Sequence, residues 1–242
     1  MVMKTLIALS WRELKYLYDF PTIGVLIIIY PFVYVLLGYG LNTMFPQSSF
    51  LKFFIPGLLG ITSIMYFQLS MSLIRLEKAS RMLYVILLHG VTEKLYVLSK
   101  IFTYSIISII RYVIAIITGL FIIGYIPSIN ALFLMLIALI STDVLWLTTG
   151  IIVGNKIRGE GTRDLINTLS QLFLIFFSSA YYIPERLSYI FMIISYANPL
   201  TYCINIMRSL YYESISLMEI LGLSLMILAD IILLFIAIRS LK

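Results

Sequence analysis

Three ionisable residues, Arg111, Asp143 and Asp230, fall inside long apolar runs. A charge in hydrocarbon is costly unless it is paired or hydrated, so each marks either a structural contact or an ion path. Arg111 precedes Tyr125 by 14 residues, and Asp143 follows Asn130 by 13. At ~1.5 Å per residue, both lie about 20 Å from the same turn, a shared depth that allows them to pair. Two readings stand: a polar cavity wall or proton relay, and a buried ion pair that sets helix register. Asp230 has no evident partner in the sequence.

A second group of charges lies outside the apolar runs. Residues 75–100 read RLEKASRMLYVILLHGVTEKLYVLSK and hold seven charged residues and the only histidine. On so apolar a chain this is the main surface that can meet a water-soluble partner, although a long inner loop of any transporter or channel has a similar composition. Leu76, Ala79, Leu83 and Ile86 predict one helical stripe, with Glu77 and Arg81 as an i, i+4 pair. His89 and Gly90 interrupt the stripe, and Thr92 is the N-cap of a second helix.

Enzymatic constellations are missing. There is no HExxH, no GxSxG and no Cys/His cluster, and one histidine with one cysteine, Cys203, provides neither a metal site nor an internal disulfide. Cys203 reads as a small buried hydrophobe. Gly154 to Glu160 reads GNKIRGE, close to a phosphate-binding loop, but Glu160 and Gly161 stand where Lys and Ser/Thr are required. Nucleotide chemistry is therefore expected on another polypeptide.

The elements that must position these residues are membrane helices. The chain is 62% hydrophobic and 12% charged, against about 25% charged in soluble domains. Runs of roughly 20 apolar residues, enough to cross a ~30 Å core, predict six spans near 22–42, 53–74, 101–124, 131–154, 166–183 and 219–238. An all-α, polytopic membrane protein of one domain, 1–242, follows. Of the 17 Lys and Arg residues, only Lys52, Arg186 and Arg208 fall on the outer side, Arg111 lies within a span, and the rest are inside. Both termini are therefore expected in the cytoplasm, and the net charge of +6 needs no nucleic acid.

Residues 4–19 alternate leucines with charges at helical spacing and carry Trp11, Tyr16 and Tyr18, which predicts an amphipathic helix on the inner membrane face. Pro21 ends it, Pro31 kinks the first span, and no cleaved signal is expected. The outer connections at 43–52 and 125–130 are short, whereas 155–164 reads as a flexible, charged inner loop. Gly150 and Gly154 form a small-xxx-small pair for close helix packing. Residues 184–218 are too polar to span and too apolar for a free loop. They predict short re-entrant helices on the outer side, or else an interfacial loop anchored by aromatics.

Two local patterns carry a resemblance. Asn198-Pro199-Leu200-Thr201-Tyr202 is followed by Arg208, and Pro56-Gly57-Leu58-Leu59 opens the second span, which ends in Arg75, Glu77 and Lys78. Together with the interfacial helix, the six spans and the re-entrant stretch, they resemble the permease of a type-2 ATP-binding-cassette (ABC) exporter. That group includes bacterial and archaeal drug, lipid and polysaccharide exporters. The chain departs from its pattern at Ser80, often glycine there, and at His89, often proline.

The resemblance implies a coupling helix near 77–92, in which Glu77, Lys78, Arg81, Leu83, Tyr84, His89 and Thr92 dock into a cytoplasmic ABC ATPase subunit. It implies that ATP and magnesium are held by that subunit and that this chain carries no catalytic residue and binds no cofactor. It further implies a plasma-membrane dimer of two permeases, identical or different, embedded in lipid. The substrate path would lie between the permeases, along spans one, two and five, with Tyr30, Tyr34 and Phe67 among its aromatics; Pro31, Pro56 and the re-entrant segment would be points of give. An ion-coupled secondary transporter using Arg111, Asp143 and Asp230 is the alternative. It would usually show two similar halves, and no repeat relates residues 1–125 to 126–242. An intramembrane enzyme would need a nucleophile and base pattern that is not found.

Overall fold

The computed structural model describes residues 2–19, 29, 33, 36–37, 40, 48–123, 127–157, 159–212 and 217–241. The first expected span, with Pro21, Tyr30, Pro31 and Tyr34, lies almost wholly outside the described residues. Among the described residues the regular structure is helical, without strands.

The amphipathic N-terminal pattern forms α1, Val2–Asp19. Its Val2, Met3, Ile7 and Trp11 are exposed while Leu9, Ser10 and Glu13 are buried, so the helix has an inner polar and an outer apolar edge. The second expected span is built from α2, Ser48–Ser63, and α3, Met65–Ala79, interrupted by one turn residue, Ile64. That break lies beyond Pro56, at Thr62 and Ser63. Both hydroxyls donate to the Leu59 carbonyl, at 2.8 and 3.3 Å, a back-bonding that bends helices.

The stripe expected from Leu76 to Ile86 is divided. Arg81 adopts a left-handed conformation, φ 59°, and separates α3 from the short α4, Met82–Leu88. Leu83 and Ile86 are buried, but Leu76 and Ala79 are exposed, because the turn rotates the two halves away from a common face. Gly90, at φ +82°, closes the turn after α4, a conformation open to glycine. The Leu95 N–H then donates to Thr92 Oγ1 at 3.3 Å, and α5 runs over Glu93–Ile123.

Helix α6, Ile129–Lys156, is the centre of the fold. Ser128 caps it by accepting from the Ala131 N–H at 3.4 Å. It packs against α2, α3 and α5, and against the later α9 (Pro199–Tyr211) and α10 (Leu217–Ser240). Gly150 and Gly154 explain its fit to α3. A Cβ at Gly154 would stand 2.6 Å from the Met71 carbonyl oxygen, and one at Gly150 would strike Ser70 and the Phe67 carbonyl. Phe67 is 3% exposed, a core residue whose carbonyl faces α6.

The inner connection expected at 155–164 is shorter than its composition suggests: α7 starts at Glu160 and runs to Phe176. Gly161 falls in its first turn, where it costs less than in a helix interior. After a 3-10 turn at Pro184–Arg186 come α8, Tyr189–Ala197, and α9, bent 91° to one another. Among the described residues, four stretches are long and apolar enough to cross a membrane: Lys52–Ala79, Glu93–Ile117, Ile129–Lys156 and Leu217–Ser240. The α8–α9 pair reaches that standard only as one bent unit. α7 has 17 residues, about 26 Å of helix, and begins and ends six or seven residues before the expected fifth span.

Candidate functional site

Three helices meet at one end of the bundle through a buried charge network. Small residues bring α1 against α5: Ser10 Oγ donates to the Ser99 carbonyl, and Thr103 Oγ1 to the Ser10 carbonyl, both at 3.4 Å. This approach places Glu13 of α1 beside Lys100 of α5, 3.1 Å apart, with Lys100 fully buried. Lys100 also lies 3.2 Å from Glu77 of α3, and Arg12 reaches Glu77 at 2.7 Å while touching Glu13. The Tyr96 hydroxyl donates to the second Glu77 oxygen. Two carboxylates thus balance two cations in a largely buried site with Arg12 at its exposed edge, the pairing under which buried charges are tolerated.

The network sets protonation as well as position. Burial alone would push the Glu13 carboxyl up; Lys100 and then Arg12 outweigh it and hold it below the ordinary carboxylate value. For Arg12, burial works against the charged form, but Glu13 and Glu77 raise its pKa above the usual arginine range. Both groups stay ionised in the folded protein.

The residues expected to dock a partner separate into two sets. Glu77 and Leu83 are turned inward, and Glu77 pairs with Arg12 and Lys100 rather than with Arg81. Lys78 reaches across to the Asn155 carbonyl at the end of α6, at 3.2 Å. Arg81, Tyr84, His89 and Thr92 are exposed. His89 Nδ1–H donates to the Val85 carbonyl at 2.7 Å and so finishes α4. The sequence reading missed Met82, Val85 and Leu88, which surface beside Tyr84; Leu88 is 85% exposed. Their signal was the apolar run MLYVILL, too greasy on all sides for a helix of seven residues to bury.

Deeper in the bundle Arg111 and Asp143 form a buried ion pair, with Nη2 at 2.8 and 2.6 Å from the two carboxylate oxygens. Arg111 also donates to Thr62 and Ser63 at 3.2 Å, at the break between α2 and α3. Asp143 accepts from Ser108 at 2.5 Å, and the guanidinium lies over the Tyr66 ring. Four helices are tied at one depth. Asp230 is apart from them: one of its oxygens accepts from Ser141 at 2.5 Å, and the other is buried without a hydrogen-bond partner.

At the opposite end, Asn198 and Arg208 shape the bent pair. Asn198 Oδ1 accepts from the Leu200 N–H at 3.0 Å, capping α9, while Nδ2 donates to the Leu174 carbonyl at 2.7 Å. Pro199 occupies the first helical position, where its missing N–H costs nothing. Leu200 and Thr201 are buried, and Tyr202 is half-buried. Arg208 donates from Nε to the Phe53 carbonyl at 3.0 Å and from Nη2 to the Ala180 carbonyl at 2.9 Å. The same Ala180 oxygen lies 2.6 Å from where a Gly57 Cβ would stand. Both sequence patterns, Pro56-Gly57 and Asn198 to Arg208, therefore converge on one carbonyl.

Residues 4–212 match the ABC-2 type transporter family. The chain belongs to that family. It is an ABC-2 membrane domain, all-α, with several membrane-crossing helices and a permease architecture that is not itself catalytic. No curated protein gives a significant match. Among the described residues of this ABC-2 domain, no group of three or more His, Cys, Asp and Glu side chains is placed to hold a metal ion.

Proposed function

We propose that this ABC-2 domain is the permease subunit of an ATP-driven exporter, coupled through α4 to a separate cytoplasmic ABC ATPase. One observation carries the reading. Tyr84, Val85 and Leu88 form an exposed apolar patch on α4, at the end of α3, which the Arg12–Glu13–Glu77–Lys100 network locks to α1 and α5. An apolar patch rimmed by Arg81, His89 and Thr92 suits a protein groove. A push on it is delivered to three helices as one body. ATP shifts the permease only as far as the ATPase pair binds one conformation better than the other.

The further parts of the proposal follow the charge distribution and the family. Six spans in one domain put both termini and α4 in the cytoplasm, in the plasma membrane, with the bent α8–α9 pair outside. Two permeases, identical or different, pair with two ATPases that hold ATP and magnesium. The path runs beside α3 and α7, where Gln171 donates to Gln68 at 2.9 Å and both line a small cavity with Thr62. In the ion-coupled alternative Arg111 and Asp143 already satisfy each other, which leaves Asp230 alone as a relay group.

The test is co-purification with a co-expressed ABC ATPase and ATP-dependent transport into inverted vesicles. Leu88→Asp and Tyr84→Ala should release the ATPase and abolish transport while thermal unfolding of the permease stays unchanged. Transport by the purified chain in proteoliposomes without any ATPase would overturn the reading.

A further inference from the structure

The outward face of α1 divides into two edges. At about 100° per residue, Met3, Ile7 and Trp11 fall within an arc of about 80°, and Lys4 and Lys15 occupy roughly the next 40°. All five are exposed, Trp11 to 69%. Arg12 borders the lysines, but its guanidinium is spent inward on Glu13 and Glu77. Glu13 points almost opposite to the lysines and is 2% exposed. Among the described side chains of α1, the outward charges outside an ion pair are therefore Lys4 and Lys15, both positive.

The inward face fixes where this surface stands. It packs on α5 through Ser10, at Ser99 and Thr103, inside the Glu93–Ile117 stretch that is long and apolar enough to cross a membrane. Next to that contact α5 exposes Phe102, and further along Ile109 and Ile110, an apolar flank suited to hydrocarbon. The apolar edge of α1 extends this flank. Its rings and alkyl chains can enter the acyl layer while the lysine stems lead their ammonium groups back to the headgroups. Lys4 and Lys15 stand roughly 16 Å apart along the helix, so they meet different headgroups.

A helix can lie on a bilayer without regard to lipid charge. Here the acid that would offset the lysines is buried in the network, and a lysine near an anionic lipid surface gains roughly fivefold in affinity. We infer that α1 is a binding surface for anionic phospholipid, with Lys4 and Lys15 as the headgroup contacts and Met3, Ile7 and Trp11 as the anchor.

The chain has two tryptophans, and they make the test direct: Trp11 is on this face, whereas Trp146 is buried in the bundle. Trp146→Phe leaves Trp11 as the sole indole of the full chain. Its fluorescence is measured in nanodiscs of equal parts phosphatidylglycerol and phosphatidylcholine, with bromine near the headgroup on one lipid or on the other. Quenching at least about twofold stronger with brominated phosphatidylglycerol is expected, narrowing as salt is raised. Lys4→Gln combined with Lys15→Gln should make the two lipids quench alike, with an unchanged unfolding temperature, because neither lysine belongs to the buried network. If Trp146→Phe does not fold, the difference between the unmodified chain and Trp11→Phe supplies the same signal. Equal quenching by the two lipids, stronger quenching by brominated phosphatidylcholine, no quenching by either, or a preference that survives the double lysine variant overturns the inference. No ATPase is involved, and both leaflets have one composition, so the result is independent of the exporter reading and of which way the chain is inserted.

Discussion

Arg12 Nη2 lies 2.7 Å from Glu77 Oε1, across 65 residues of sequence. The contact joins an N-terminal helix to the end of a membrane span, immediately before the surface proposed to receive an ATPase. Glu77 is thus an internal strut. Its loss leaves Arg12 and Lys100 with one carboxylate between them.

Removing one partner of a buried pair costs about 3–5 kcal/mol. Glu77→Ala should therefore lower the unfolding temperature of the purified chain. Arg81→Ala, on the exposed turn, should leave it unchanged. Both should reduce coupling of ATP hydrolysis to transport, Glu77→Ala by loosening α1 and α5 and Arg81→Ala at the docking surface. Equal thermal stability of the two variants would show that the network does not carry this end of the bundle.

Acid should loosen the same network. Burial opposes the charged Glu13 carboxyl, but Lys100 and Arg12 prevail and keep its folded-state value below the ordinary 4.5. The folded state thus binds fewer protons than the unfolded one near that pH. Stability from Glu13 is present above 4.5 and is lost as pH falls through the lower folded value. The wild-type unfolding temperature should fall more steeply between about pH 5 and 3 than that of Glu13→Gln. Parallel pH curves would remove Glu13 from this role.

How much of this was legible in the sequence depends on distance along the chain. The Thr92 cap and the equal depth of Arg111 and Asp143 are encoded within a few residues or by counting along helices. Glu77 was read as the i, i+4 partner of Arg81 and as part of the docking surface. Its partners lie 65 residues before it and 23 after it, and no local pattern reports such pairs. The turn at Arg81 was equally hidden: a left-handed arginine has no propensity signal, so one stripe was expected where two short faces occur. Gly57 and Arg208 were both visible as motif residues, but only folding reveals that they share the Ala180 carbonyl.

The Arg111–Asp143 pair separates structural from functional readings through a double-mutant cycle. Arg111→Met alone strands the buried Asp143 carboxylate, and Asp143→Leu alone strands the guanidinium. Each should cost about 3–5 kcal/mol, whereas the double variant should recover most of it, because apolar residues of similar volume replace buried pairs at little cost. Recovery of fold and of transport together would make the pair a register device. Recovery of thermal stability without transport would make it part of the moving or conducting machinery.

Arg208→Lys tests the end of the bundle remote from α4. Lysine keeps the charge, but an ammonium on a flexible stem does not reproduce the planar fork that bridges the Phe53 and Ala180 carbonyls. Each buried carbonyl left without a donor costs about 1–3 kcal/mol. The variant should unfold at lower temperature, and hydrogen exchange should rise in α9 and around Ala180 while the α1–α3–α5 network stays protected. Gly57→Ala should produce the same regional pattern, since its Cβ would press on the Ala180 oxygen at 2.6 Å. If Arg208→Lys instead raised exchange uniformly, the two motifs would not form a local unit. Matching regional profiles from two substitutions 151 positions apart would show that one carbonyl binds α2 to the bent pair.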